Sequence, residues 1–252
     1  MDRRQALKLL AGAALCPCCI DRAAAEDAPH WSYEGDKGPA KWGDLDAASK
    51  TCAIGAQQSP VDIMGPVKAQ LPALRIDWPK RADTIVNNGH TIQLNFPEGD
   101  TLLVGDLKYN LLQLHFHRPS EHLVGGKGFA MEAHFVHRAA EGSGLAVVGV
   151  LMTAGAANEA FAKIAATMPQ AEGPAVKADA AIDPNALLPA ERGYYRYTGS
   201  LTTPPCSEIV EWLVLATPIT VAEADIASFA KLYPMNARPA QKDNRRYVLQ
   251  SM

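Results

Sequence analysis

Short runs in which apolar and polar residues alternate recur from residue 84 onward, most of them closed by Gly, Pro, Asn or Asp. That alternation is the mark of strands whose two faces meet different surroundings. It predicts strands at Thr84–Val86, Thr91–Phe96, Leu102–Val104, Leu111–His117, Phe129–His137, Leu145–Thr153, Tyr194–Tyr197 and Glu208–Leu215. Two segments, Asn158–Met168 and Ala222–Leu232, carry apolar residues at helical spacing instead. Pro169 and Pro234 stand just past their ends, where a residue without an amide proton stops a helix. Loops rich in Pro or Gly, such as Asp36–Trp42, Glu172–Pro174 and Leu188–Gly193, separate the elements. The expected architecture is mainly β: a large central, mostly antiparallel twisted sheet with short peripheral helices and wrapping loops. No linker, repeat or low-complexity segment divides it, so residues 26–252 are expected to form a single domain.

Two of these strands carry candidate chemistry. Side chains alternate along a strand, so in Gln113-Leu114-His115-Phe116-His117 the residues Gln113, His115 and His117 share one face. In the next strand Glu132 and His134 share a face, while His137, an odd number of residues on, points off it. Histidines at i and i+2 suit a sheet; a helix would need i and i+4. Three neutral imidazoles leave a tetrahedral zinc with one position open to water, whereas four protein ligands would close it as a structural site. Gln113 and Glu132 are the acceptors that would orient the rings and fix their tautomers. Alone, an H-x-H strand also reads as a solvated hairpin, and His134 with Glu132 shifts the balance toward a metal. Imidazole ligands suit zinc, and also cobalt or, less well, iron. No H-E-x-x-H helix occurs, which disfavours a metalloprotease.

Composition changes the picture in two places. A net charge of −3 with no basic stripe argues against a nucleic-acid partner, and 48% hydrophobic residues suffice for a sizeable core. The N-terminus reads as an address. Asp2-Arg3-Arg4-Gln5-Ala6-Leu7-Lys8 resembles a twin-arginine export signal, followed by apolar Leu9–Leu15, too short to span a bilayer, and by Ala23-Ala24-Ala25 as a cleavage site. Residues 1–25 are therefore expected to be removed, with the mature chain starting near Glu26 in the bacterial periplasm or outside the cell. Cys16, Cys18 and Cys19 leave a lipoprotein or a metal-binding cluster as alternatives, although Ala14-Leu15-Cys16 is a poor lipidation signal. Of five cysteines only Cys52 and Cys206 then remain. An even pair in an oxidising compartment is most simply a disulfide, two buried free thiols being the alternative. Closing so long a loop would stabilise the fold by roughly 5 kcal/mol at most.

Four further motifs complete a resemblance: Gln57-Gln58-Ser59-Pro60-Val61-Asp62-Ile63, Asn87-Asn88-Gly89-His90, Ser120-Glu121-His122, and Ser200-Leu201-Thr202-Thr203-Pro204-Pro205 with Trp212 beyond it. In this order with the two histidine strands they resemble the α-class carbonic anhydrases, from about Trp31 to Arg245. The resemblance implies zinc on His115, His117 and His134, and the reversible hydration of carbon dioxide to bicarbonate and a proton, with activated esters as side substrates. The reference pKa of about 7 for zinc-bound water belongs to carbonic anhydrase itself. Thr202 would accept a hydrogen bond from the zinc-bound hydroxide and donate its own proton to Glu121. Thr203 would sit beside the substrate, and Val136, Val147, Leu201 and Trp212 would form an apolar wall. His90 matches the proton shuttle, with Tyr33, Asn88 and Gln93 holding its water chain. His122 is expected to make a structural hydrogen bond to Tyr197, and His30 to lie in a flexible N-terminal segment. Arg118-Pro119, where many animal relatives have Trp-Gly, should alter only a turn. Bacterial members are often dimers, which leaves a homodimer open. The alternative is a non-catalytic carbonic-anhydrase-related binding protein; such domains typically lack one or more of the zinc histidines.

Overall fold

A computed structural model describes residues 30–252. The expected leader and Cys16, Cys18 and Cys19 lie outside the described residues. In chain order the strands are β1 (Asp62–Ile63), β2 (Val67–Ala69), β3 (Leu74–Asp77), β4 (Thr84–Asn87), β5 (Ile92–Asn95), β6 (Thr101–Val104), β7 (Leu107–His117), β8 (Leu123–Val124), β9 (Met131–Ala139), β10 (Leu145–Ala154), β11 (Val176–Lys177), β12 (Tyr194–Gly199), β13 (Val210–Val221) and β14 (Leu249–Ser251). The helices are α1 (Thr51–Ile54), α2 (Glu159–Thr167) and α3 (Glu223–Leu232). Every strand and helix expected from periodicity forms. Of the unexpected strands, β1, β2, β8, β11 and β14 have only two or three residues, too few to show a period, and the four-residue β3 pairs with β6.

The main sheet runs β11-β4-β5-β7-β9-β10-β13-β12-β14-β2, with β3 joined to the edge of β7 through β6. Most pairings are antiparallel, as expected. The long central pair β10–β13 is parallel, however, with Val147 opposite Trp212, as are β14–β2 and the separate pair β1–β8. Parallel neighbours need a long crossover, here the stretch that carries α2 and β12.

The sheet has two apolar faces. On one, Phe116, Phe135, Val148 and Leu213 belong to a large core that α2 and α3 cover with Phe161 and Phe229. The rings of Phe161 and Phe229 lie edge-on to Phe116, at 5.3 and 6.3 Å; each such side chain contributes roughly 2 kcal/mol on burial. Asn158 starts α2 by accepting the Ala160 and Phe161 amides. His137 lies on this face, stacked 5.5 Å from Trp78. The opposite face carries a smaller cluster with Val136, Val147, Val214 and Trp212.

A bulge in β7 decides which residues face which side. Tyr109 and Leu111 belong to the large core, as do Leu114 and Phe116. Strict alternation would put Leu111 beside Gln113, His115 and His117. The register against β9 slips between Leu111 and Gln113, so Leu112 is an extra residue and the parity flips there. Tyr109 and Leu111 can thus fill the core while the three polar residues beyond the bulge face the other way.

Candidate metal centre

Pairing of β7 with β9 places His115 opposite His134 and His117 opposite Glu132. His115, His117 and His134 offer ligand atoms that all lie within 4.8 Å of one another. Each ring has one nitrogen committed to an acceptor: His115 Nδ1 to Gln113 Oε1 at 2.8 Å, His117 Nδ1 to the Asn236 carbonyl at 2.7 Å, and His134 Nε2 to Glu132 Oε1 at 2.9 Å. Carbonyl and carboxylate oxygens only accept, so these nitrogens carry the protons. The free lone pairs are therefore on His115 Nε2, His117 Nε2 and His134 Nδ1. His117 Nε2 is buried with no hydrogen-bond partner, which a cation would resolve. Burial lowers the pKa of all three rings, that of His117 to about 4, so they are neutral donors at physiological pH. This donor set fits a zinc ion.

Glu132 is the hub behind the cluster. It is fully buried; its Oε2 accepts the backbone amides of Glu121 and His122 at 2.9 and 2.8 Å, and its Oε1 meets His122 Nδ1 at 2.7 Å as well as His134. Burial pushes its pKa up, but His122 and His134 outweigh it and hold the carboxyl well below its usual range. Room for the carboxylate comes from Gly149, opposite His134 on β10, where a Cβ would stand 3.0 Å from Glu132 Oε1.

A hydrogen-bonded chain continues from this hub to the Ser200–Pro205 loop. His122 Nε2 meets the Tyr197 hydroxyl at 2.7 Å, as the resemblance led us to expect, and Tyr197 lies 3.1 Å from Ser59 Oγ. Ser59 and Ser200 then exchange bonds, each backbone amide donating to the other's hydroxyl. The Trp212 indole donates to the Ser200 carbonyl. Only glycine fits at 199, because a Cβ there would reach 2.1 Å from Ser59 Oγ. The far end of the loop is tied by the Cys52–Cys206 disulfide across 154 residues.

Glu121 Oε1 accepts the Arg238 amide at 2.8 Å. Burial raises the Glu121 pKa to about 7, against His134 and the hydrogen bonds of Arg238 and Thr202. Its Oε2 is buried and makes no contact of full hydrogen-bond geometry. The Arg238 guanidinium, almost fully buried, donates to Gln58 Oε1 and to the carbonyls of Ser59 and Cys52.

One cavity contains the remaining candidates. Its polar lining includes Tyr33, Asn88, His90, Gln93, Gln113, Thr202 and Thr203; its apolar lining includes Val136, Val147, Leu201, Trp212 and Trp31, and the three histidines open into it. Asn88 Oδ1 caps the turn by accepting the amides of His90 and Thr91, and Gly89 takes φ +84°, a region open to glycine. Asn88 and Gln93 side chains meet at 3.4 Å.

Sequence patterns missed Asn236 and Trp31. Asn236 holds His117 through its carbonyl, takes the Arg118 amide on Oδ1, and donates to the carbonyls of His90 and Phe116. Nothing near it in sequence marks that role, since it lies 119 residues from His117. Trp31 stacks on His90 with ring centroids 3.7 Å apart. His30, expected to lie in a flexible N-terminal segment, has its ring 6.0 Å from that of His90. Arg118–Pro119 adopts a cis bond in a turn whose Arg118 amide binds Asn236.

The fold and the cavity define a β-sheet enzyme of the carbonic anhydrase type. The model of the eukaryotic-type carbonic anhydrases matches residues 37–252, and the chain belongs to that family. A carbonic anhydrase of Nostoc sp. is 40% identical over 259 aligned positions, covering 99% of this chain and 98% of that protein. One of Pectobacterium carotovorum is 42% identical, covering 90% and 93%. The α-carbonic anhydrase of Thermovibrio ammonificans, solved with the inhibitor sulfanilamide, superimposes with a TM-score of 0.85 at 42% identity, covering 88% of this chain and 99% of that one. As a member, the chain is an enzyme of the carbonate dehydratase type, acting on carbon dioxide and bicarbonate. Among the described residues no helix is long and apolar enough to cross a membrane.

Proposed function

We propose that the protein hydrates carbon dioxide reversibly with a zinc ion held by His115 Nε2, His117 Nε2 and His134 Nδ1. The observation that carries this is the convergence of three neutral imidazoles, their lone pairs freed by Gln113, Asn236 and Glu132, beneath an apolar pocket. Zinc bound there supplies a Lewis acid that brings a coordinated water into the neutral titration range. Glu121 in its ionised form, which a nearby cation favours, is acceptor-only and draws the Thr202 proton toward itself. The Thr202 oxygen is then left to accept from the attacking group and to select the lone pair that faces the substrate. Val136, Val147, Leu201 and Trp212 exclude water and receive carbon dioxide, which has neither charge nor dipole. Thr203 borders the same space and contacts the bicarbonate formed. His90 takes the released proton across waters held by Tyr33, Asn88 and Gln93 and passes it to solvent. Hydrolysis of activated esters is a side activity of the same centre.

A non-catalytic binding role, the alternative weighed from the sequence, is disfavoured by the complete histidine set and the Thr202–Glu121 pair. Stopped-flow measurement of carbon dioxide hydration tests the reading. Activity should vanish with a zinc chelator and in His115→Ala; chelator-insensitive activity, or none with zinc fully loaded, would overturn it. His90→Ala should lower turnover in weak buffer and recover with added imidazole. We place the enzyme in the periplasm or outside the cell, as one domain beginning near Glu26. The Cys52–Cys206 disulfide supports an oxidising compartment, and the intact mass of the exported protein checks the start.

A further inference from the structure

We infer that Arg238 is the anchor of an anion site away from the metal centre, one that takes a small planar oxyanion such as formate or bicarbonate. Among the described residues Arg238 is the most buried arginine, 2% exposed. A guanidinium offers five N–H donors. Here Nη1 uses two, on Gln58 Oε1 and the Ser59 carbonyl at 2.9 and 2.8 Å, and Nη2 uses one, on the Cys52 carbonyl at 3.1 Å. Nε has no partner, so Nε–H and one Nη2–H are left over. All three acceptors are neutral. Burial lowers the Arg238 pKa only to about 10, and the group keeps its charge at neutral pH. Yet among the described residues no carboxylate forms an ion pair with it, whereas the more exposed Arg81 and Arg196 are paired with Asp183 and Glu211. Glu121, whose charge reaches it, is bound through the Arg238 backbone amide instead. A buried charge with no counter-ion in contact is costly, and an exchangeable anion relieves that cost.

Space for the anion is already there. Arg238 borders a cavity of about 410 Å3 whose other lining residues, Ala40, Ala53, Pro239 and Gln241 among them, carry no charge. This cavity shares no residue with the one above the metal centre. Trp42 covers the guanidinium, with Cζ 5.5 Å from its ring centroid. Donors on two neighbouring nitrogens match the two oxygens of a carboxylate or of bicarbonate, the bidentate geometry in which arginine excels. The same residue ties the cavity to the catalytic frame: its amide holds Glu121 Oε1, and its guanidinium holds Ser59, which exchanges bonds with Ser200. An anion on Arg238 braces that frame from behind.

The test titrates the zinc-loaded protein with sodium formate, and separately with sodium chloride at equal ionic strength, while saturating sulfanilamide keeps anions off the metal centre. The N–H signals of Arg238 Nε and of the Trp42 indole are followed by NMR. Both should shift saturably with formate, half-saturating at about 10 mM, the weak affinity of a single bidentate pair. Chloride should need about fivefold more, since it cannot place one acceptor on each donor. Ala40→Asp, an exposed position on the cavity wall, adds a carboxylate that repels the incoming anion or takes the guanidinium itself. It should raise the formate concentration at half-saturation about tenfold. Arg238→Lys keeps the charge without the fork and should abolish the saturable Trp42 shift; if that variant does not fold, Ala40→Asp decides alone. No saturable shift in the parent, chloride as effective as formate, an Ala40→Asp protein that titrates like the parent, or a folded Arg238→Lys protein that does so would each overturn the anion site.

Discussion

Replacing Glu132 with glutamine removes one charge, keeps the shape, and should misdirect a histidine proton. Glu132 Oε2 accepts two backbone amides, which have no alternative tautomer. The carbonyl of the new amide must therefore occupy that position. Its NH2 then replaces Oε1 and faces His122 Nδ1 and His134 Nε2, both donors in the parent. His122 can adapt, because its other nitrogen meets the Tyr197 hydroxyl, which can accept as well as donate. For His134, accepting the new N–H moves its own proton to Nδ1, the nitrogen needed for the metal. Zinc affinity should fall about 10- to 100-fold, the range for loss of such a supporting carboxylate. The metal-free fold should lose about 2 kcal/mol, as four charge-assisted bonds become neutral ones while relief of the buried charge offsets part of the loss. Competition with a chromophoric chelator at neutral pH reads the affinity, and nitrogen NMR of the zinc-free variant reads the His134 tautomer. Affinity within twofold of the parent, or a proton still on Nε2, would refute this reasoning.

Three further outcomes are expected. Burial lowers the His137 pKa to about 4, so below about pH 6.5 the unfolded chain binds a proton that the folded one refuses. That contribution is complete above pH 6.5 and is lost as the pH falls toward 4. Between pH 7 and 5 the parent should lose about 2 kcal/mol more than His137→Leu in urea unfolding, and equal losses would refute it. Breaking the Cys52–Cys206 link with serines frees a loop of 154 residues and should cost up to about 5 kcal/mol of unfolding free energy; a change below about 1 kcal/mol would contradict the loop-entropy account. Gly149→Ala places a Cβ 3.0 Å from Glu132 Oε1 and 3.4 Å from Val214. Overpacking there should cost about 1–3 kcal/mol and weaken zinc binding; thermal melts and chelator competition that match the parent would show that the carboxylate has room to move.

Much of this protein follows from local chemistry. Side-chain alternation is a property of the extended backbone, so Gln113, His115 and His117, and likewise Glu132 and His134, had to share faces once their segments became strands. Pro169, Pro234 and the Asn158 cap bounded the helices for equally local reasons. Other features depend on which distant segments meet, and no local period encodes that. Leu112 becomes a bulge only because Tyr109 and Leu111 are drawn into the core while His115 pairs with His134. The parallel β10–β13 pair, the Ser59–Ser200 exchange, the Asn236 carbonyl behind His117 and the Trp31–His30 cover on His90 all join positions far apart in the chain. The chain carries its metal-binding donors in two short words; whether they converge, and with which nitrogens free, is decided by sheet register and by acceptors that only the folded chain brings within 3 Å.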